Sequence, residues 1–345
     1  MTDRPLLNWG IIGPGTIARD FAAGLAHSRT GRLVAIGSRN PGRPGLAEAF
    51  PGIRCHAGYA ALLADPAVEA VYIASPHTEH AEWALNAVRA GKHVLVEKPM
   101  TPTAAGTAAL FAAAEQAGVF MGEAYMYRLH PTIHKLVALI QGGMLGEVRL
   151  IRSSFGYNKG AVVPEHRLFD PQLAGGGILD IGGYPVSMAG LIAGAAAGVD
   201  YLEPVALSAS GQIGATGVDE WASAVLHYGN GIVAEVSCSI RVSQDNMLTV
   251  MGSAGRLAMQ DFWFVGGKQG GTATLVFHDN AGAETRMPLS DDGWLYAYEA
   301  DAVHAALSAG QRGFAWPGMS ARESVANMAV LDRWRAAIGL RYPFE

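Results

Sequence analysis

The chain has 345 residues, half of them hydrophobic and 16% charged, with a formal net charge of −5. That length predicts two domains, and the composition excludes a disordered or fibrous chain. The acidic balance supplies no basic field for nucleic acid, and two cysteines, Cys55 and Cys238, give neither a disulfide framework nor a zinc site.

The amino terminus, Met1 to Trp9, has no basic segment followed by an apolar stretch, so no signal peptide is expected. The longest weakly polar run, residues 188–199, falls short of the ~20 residues that span a bilayer. A soluble, cytoplasmic protein without membrane partners is the expectation. The 44 glycines show no fixed period, which argues against a repeat architecture.

Residues 1–124 alternate between two kinds of segment. Short β-rich runs at 8–12, 33–38, 70–74, 93–97 and 119–122 are separated by Ala-rich helical spacing at 17–27, 59–63, 80–90 and 103–117. Continuous apolar strands between helices predict a parallel sheet covered on both faces. With right-handed crossovers that is a doubly wound, Rossmann-type α/β domain.

Gly13-Pro14-Gly15-Thr16-Ile17-Ala18 joins the first strand to the first helix. Gly13 permits a tight turn, Gly15 removes a side chain from the path of a pyrophosphate, and Ala18 lets the helix approach the strand. Thr16 and Ile17 open the helix whose free N–H groups would meet the phosphates. The context of strand, turn and helix makes this a dinucleotide site. The second strand ends in Ser38-Arg39-Asn40 with Arg43 nearby, and no carboxylate is present for a ribose 2′-hydroxyl. A hydroxyl and guanidinium groups suit a 2′-phosphate, so NADP is favoured over NAD.

From residue 125 to 317 the pattern changes. A helix at 133–141 precedes strand-like runs at 148–155, 222–228, 232–239 and 273–278 without regular helices between them. They predict an α+β domain with a mostly antiparallel open sheet, for substrate binding and oligomerisation. Residues 318–345 form a closing helix: Ser320 and Glu323 have capping-box spacing, and Gly339 and Pro343 mark its end. It is expected to pack back on the body.

The stretch Ala90-Gly91-Lys92-His93-Val94-Leu95-Val96-Glu97-Lys98-Pro99 resembles a signature of the glucose-fructose oxidoreductase and inositol dehydrogenase (Gfo/Idh/MocA) family. Gly175-Gly176-Gly177-Ile178-Leu179-Asp180-Ile181-Gly182-Gly183-Tyr184 is similar to its second signature. Glu123 to Pro131, and Tyr298-Glu299 with His304, extend the likeness over nearly the whole chain. Many members carry histidine where Tyr184 stands; tyrosine resembles the branch of dimeric dihydrodiol dehydrogenase and certain aldose dehydrogenases.

The resemblance implies that Lys98 touches both the nicotinamide ribose and the substrate hydroxyl, and that the Lys98–Pro99 bond is often cis. It places Ser75-Pro76-His77, with His80 and Glu97, at the cofactor, and needs no metal. Asp180 and Tyr184 stand four apart and share a face if their segment is helical. A tyrosine base needs a nearby cation to lower its pKa, and Lys98 is the candidate. Tyr184 is thus the expected proton donor or acceptor, with Lys98 as electrostatic partner and Asp180 orienting the substrate. The glycine triplet would let backbone and ligand approach closely.

Arg128 and Arg167 are candidates for substrate oxygens or for structural ion pairs. Trp263, Trp294 and Tyr298 could line a ring-binding pocket or pack in the core. The activity implied is hydride transfer between NAD(P) and a carbon bearing a hydroxyl of a sugar, polyol or trans-diol. Two other outcomes known in the family are glycosidase action by transient oxidation with tightly held NAD, and regulation without catalysis; a bifunctional sugar oxidoreductase is a weaker third. A homodimer or homotetramer through the second domain's sheet is implied as well.

Overall fold

The computed structural model describes residues 5–345. The reading of the amino terminus falls partly on Met1 to Arg4, which lie outside the described residues.

Six strands build the first sheet: β1 (Leu7–Ile12), β2 (Gly31–Ser38), β3 (Arg54–Ala57), β4 (Ala70–Ile73), β5 (His93–Glu97) and β6 (Met121–Ala124). Their spatial order is β3-β2-β1-β4-β5-β6 and every neighbouring pair is parallel. The helices between them are α1 (Thr16–Leu25), α2 (Leu46–Ala49), α3 (Tyr59–Leu63), α4 (His80–Arg89) and α5 (Ala104–Ala117). The order reverses beside β1, so β1 and β4 diverge to opposite sides and leave a crevice at their carboxyl ends. β4 and the interior of β5 are apolar and fully buried, as strands covered on both faces must be. β3 escapes sequence reading for a physical reason. It is a partly exposed edge strand of four residues, Arg-Cys-His-Ala, with no apolar run.

The first core is aromatic. Phe21 of α1 stacks on Tyr72 of β4 at 3.8 Å and meets Trp9 edge-on at 5.4 Å. All three are fully buried, and such side chains stabilise the fold by roughly 2–3 kcal/mol each.

The second half contains α6 (Pro131–Gln141), β7 (Val148–Gly156), α7 (Gly183–Ala197) and β8 (Pro204–Ile213). It continues with β9 (Asp219–Tyr228), β10 (Val233–Ser239), β11 (Met247–Gly252), β12 (Gly255–Gln260), β13 (Gly271–Asp279) and β14 (Glu284–Asp291). Its eight strands lie in the order β14-β13-β12-β11-β7-β10-β9-β8, antiparallel except where β7 meets β10. Residues alternate between buried and solvent-facing along β9, so one face packs and the other is open. The packed face receives α7, which is buried from Gly183 to Ala195. The helical stretch Pro171–Ala197 is long and apolar enough to cross a membrane, longer than the run at 188–199 suggested, but it lies inside the protein.

Two closing helices, α8 (Leu295–Ser308) and α9 (Ala321–Ala337), return to the first half. A side chain at Gly24 of α1 would strike Tyr296 of α8 at 2.6 Å, so glycine is what lets the two helices touch. Asp301 of α8 accepts hydrogen bonds from the Ser28 and Thr30 hydroxyls, each at 2.6 Å. Both halves of the capping box at Ser320 and Glu323 are present on α9. Asp332 of α9 accepts from the Ala104 amide at 2.9 Å, and Arg335 donates to the Pro102 carbonyl at 3.0 Å.

Candidate active site

The glycine turn at the end of β1 is tight. Gly13 has φ +81°, and a Cβ there would lie 2.9 Å from the Ala74 and Ser75 backbone. Gly15 is the N-cap of α1, no side chain caps that end, and a Cβ at Gly15 would find nothing closer than 3.9 Å. Uncapped N–H groups beside open space are what a diphosphate requires. The buried Ser75 hydroxyl, without a partner, faces the same cavity. These residues fit a dinucleotide.

At the far end of β2, Ser38 is buried and its hydroxyl accepts the Asn40 amide at 3.2 Å. Arg43 donates to the Pro14 carbonyl at 2.6 Å, inside the glycine turn. Arg39 is solvent-exposed and pairs with Glu79 at 2.9 Å.

β5 delivers Lys98 to the carboxyl edge of the sheet, and the Lys98–Pro99 bond is cis. Buried His80 ties this loop to the one after β4: its Nδ1 lies 2.9 Å from the Pro99 carbonyl and its Nε2 2.8 Å from that of Ser75. Burial lowers its pKa to about 4 although the carbonyls favour the charged ring, and a neutral ring donates to one carbonyl at a time. His80, with both ring nitrogens on backbone carbonyls, braces the loops that carry the site. His77 contacts the Ala174 carbonyl at 3.2 Å, and burial lowers its pKa to about 3. Glu97 accepts from the Tyr72 hydroxyl and from the Lys98 amide, and burial raises its pKa.

Asp180 sits in a π-helical turn, Ile178–Gly182, that leads into α7. The glycine triplet before it is packed by protein. A Cβ at Gly176 would collide with the Asp219 carboxylate, and one at Gly175 would lie 2.6 Å from the Leu168 carbonyl. Buried Asp219 accepts from the Ile178 amide at 2.7 Å. The triplet therefore makes room for Asp219 and the 167–168 backbone, not for a ligand as the sequence suggested.

Lys98 Nζ donates to the Asp180 carbonyl at 2.5 Å and lies 3.8 Å from its Oδ1. The Asp180 carboxylate also accepts from the Tyr157 hydroxyl at 2.6 Å and from Arg167 at 3.1 Å. Burial alone would raise its pKa, yet Lys98, Arg167 and these hydrogen bonds hold it well below the usual carboxylate range. Asp180 is an anion in a ring of donors.

Tyr184 is buried one turn further on, edge-on to Tyr125 at 5.3 Å and to Phe155 at 5.4 Å. Lys98 Nζ lies 5.4 Å from its ring centroid, and its hydroxyl is directed to the Met126 sulfur at 3.5 Å. Here the expectation of a lowered phenol pKa is corrected. Burial, with Glu97 second, raises it well above the ordinary tyrosine value. The ammonium lies over the ring face, where it meets the quadrupole rather than the oxygen. The phenol is a proton holder.

Lys98, Asp180, Tyr184, Arg167, His77 and His80 line one cavity of about 600 Å³ together with Gly15, Thr16, Ile17, Ser75, Pro76 and Glu97. Arg128 does not reach it. It is fully buried, paired with Glu323 at 2.6 Å and bonded to the Pro317 carbonyl at 2.6 Å, which makes it a structural ion pair. Of the three aromatic candidates only Trp263 lines the cavity, stacked on Phe155 at 3.7 Å. Trp294 stacks on His27 at 4.0 Å, and Tyr298 donates to Asp291 at 2.6 Å beside a separate hollow. Sequence reading missed Tyr157, Phe155, Tyr296 and Lys268. Only the inward-facing end of β7 could have signalled Phe155 and Tyr157.

A doubly wound sheet with an open glycine turn, and a lysine, a carboxylate and a tyrosine gathered beyond its carboxyl edge, defines a dinucleotide-dependent oxidoreductase. The sequence model of the oxidoreductase family with an NAD-binding Rossmann fold matches residues 7–125, and that of the GFO/IDH/MocA C-terminal domain matches residues 133–258. The chain belongs to the Gfo/Idh/MocA family and is an NAD(P)-dependent oxidoreductase acting on CH–OH groups. It is 32% identical to trans-1,2-dihydrobenzene-1,2-diol dehydrogenase of Mus musculus, covering 98% of each chain. It is equally, 32%, identical to D-xylose 1-dehydrogenase (NADP(+)) 2 of Haloferax volcanii, over 94% of this chain and 95% of that one. A solved 3-ketoreductase from Actinomadura kijaniata, in complex with NADP and TDP-benzene, superposes with a TM-score of 0.83 at 28% identity over 97% of this chain and 98% of that one.

Proposed function

We propose that this enzyme oxidises or reduces a sugar, polyol or trans-diol with NADP as the preferred cofactor. The observation that carries the reading is the convergence of Lys98, Asp180 and Tyr184 on one cavity with the glycine turn. Gly13, Gly15 and the first turn of α1 would hold the diphosphate; Ser38, Arg39 and Arg43 would hold the 2′-phosphate. When bound, the nicotinamide supplies or takes the hydride.

The protein's own part is positioning and proton control. Tyr184 holds a proton at neutral pH and hands it to the substrate oxygen in the reductive direction. Lys98 sets its ammonium beside that oxygen and stabilises the negative charge that develops there. Asp180, through its carbonyl and carboxylate, fixes where the ammonium lies. Arg167 and Tyr157 complete the polar rim around the substrate, and the Trp263–Phe155 stack gives it a flat apolar wall.

The names of the relatives support sugars and diols as substrates. The missing carboxylate at the end of β2 supports NADP. The open face of the eight-stranded sheet supports a homodimer or homotetramer formed there. The deciding experiment follows absorbance at 340 nm with sugars, polyols and trans-diols, NAD⁺ and NADP⁺ side by side. Turnover of one class with NADP⁺ is the expected result; no cofactor reduction or oxidation with any substrate, in either direction, discards the reading.

A further inference from the structure

We propose that Lys268, carried by the second half of the chain, binds the cofactor's diphosphate and gives up a carboxylate partner to do so. This rests on the reading that the glycine turn seats the dinucleotide. Lys268 lies in the connection between β12 and β13, yet its ammonium donates to Asp20 of α1 at 2.8 Å. Both side chains line the cavity that Gly15, Thr16 and Ile17 also line.

The charges around the turn explain why a lysine is needed. A diphosphate is favoured by the free N–H groups of α1, whose first turn carries no acidic residue. Asp20, one turn further along the same helix, opposes it, and Lys268 is the group that neutralises Asp20. A diphosphate presents more negative charge than a single carboxylate, so the ammonium gains by moving from one to the other.

The backbone around Lys268 is fixed. Its carbonyl accepts the Leu295 amide at 3.0 Å, where α8 begins, and its Nζ lies 5.3 Å from the Phe264 ring centroid. Asp261 and Val265, in the same connection, hold positive φ values of 48° and 37°. Such conformations persist where surrounding structure imposes them. The lysine head therefore moves on an anchored backbone.

The test measures cofactor binding directly, by quenching of tryptophan fluorescence with NADPH and with NADH. Lys268→Gln is expected to raise Kd for both by the same factor, about fivefold to thirtyfold, and Lys268→Arg to stay within about threefold. Asp20→Asn has the opposite sign: it frees the lysine and removes a repulsion, so binding tightens about twofold to fivefold. If the pair were only a bridge between the halves, Lys268→Gln and Asp20→Asn would weaken binding alike. That result, or an unchanged Kd in Lys268→Gln, overturns the proposal. Gly15→Val separates this failure from failure of the seat itself. A side chain there fills the open space, so binding is lost if the turn seats the dinucleotide and retained if it does not. Melting curves without cofactor establish that each variant is folded.

Discussion

The Lys98 ammonium lies over the Tyr184 ring, 5.4 Å from its centroid, while the Tyr184 hydroxyl faces the Met126 sulfur. Burial therefore keeps the Tyr184 phenol protonated, and on the proposed mechanism it enters the reaction as an acid. Tyr184→Phe keeps the ring under the ammonium and deletes only the hydroxyl. Turnover is expected to fall at least ~100-fold in Tyr184→Phe and in Lys98→Ala, with Kd for NADPH changed less than about fivefold in Tyr184→Phe. In the wild type, carbonyl reduction should be flat between pH 6 and pH 9 as far as Tyr184 is concerned, because burial keeps it protonated there. Near wild-type turnover in Tyr184→Phe would move the proton to another group.

On the proposed reading, cofactor choice turns on Arg39. Its guanidinium is exposed and, among the described residues, held by Glu79 and the face of Tyr59, so it can turn to a 2′-phosphate at small cost. Arg39→Ala should raise the KM for NADPH roughly tenfold or more and leave that for NADH within about twofold. Equal losses for both cofactors would show that Arg39 stacks on the base or braces the loop.

Arg128 and Glu323 test the ion-pair reading. Both are buried, and the pair joins the segment before α6 to the first turn of α9. Removing one partner leaves an uncompensated buried charge, which costs about 3–5 kcal/mol. Arg128→Met should lower the urea midpoint strongly, and the double variant with Glu323→Met should recover part of the loss. A stable Arg128→Met protein with a raised substrate KM would return Arg128 to the substrate site.

Buried carboxyls with raised pKa make stability depend on pH; burial raises Glu97 and Glu299, and two more carry the slope near neutrality. Burial raises Glu123 and Asp219 to about 7 in the folded chain, from ordinary values near 4. Between those values the folded state binds more protons than the unfolded one, so stability falls as pH rises. The contribution is complete below about pH 4 and lost above about pH 7. Asp180 has the opposite sign and matters only in stronger acid, since its folded pKa is depressed. The melting temperature should drop by roughly 2–5 °C between pH 5 and pH 8 on this account. Glu123→Gln and Asp219→Asn should each flatten that slope; an unchanged slope in both would assign it to other groups.

The first half of the chain was legible because its code is local. β5 and α3 fall at the residues read from the sequence, and α5 begins one residue after its N-cap Thr103. The second sheet was half legible. β8 and β14 present few fully buried residues, so no clear apolar alternation announces them. Around Asp180 the signature was visible but its reason was not. That the triplet yields to Asp219, some 40 residues later, and that Tyr157 and Arg167 hold the carboxylate, depend on contacts between distant segments. Arg128 stayed open between two readings because an arginine in a family-like segment looks the same whether it faces a ligand or Glu323.

The last helix carries a mechanical consequence. Its carboxyl half is fastened to the start of α5 through Asp332 and Arg335, while its flank lies on α7 and β8 of the other sheet. A hinge motion swinging the halves apart would have to tear these bonds and those of Asp301 with Ser28 and Thr30. Shortening the chain after residue 331 should loosen the whole body before it touches the chemistry.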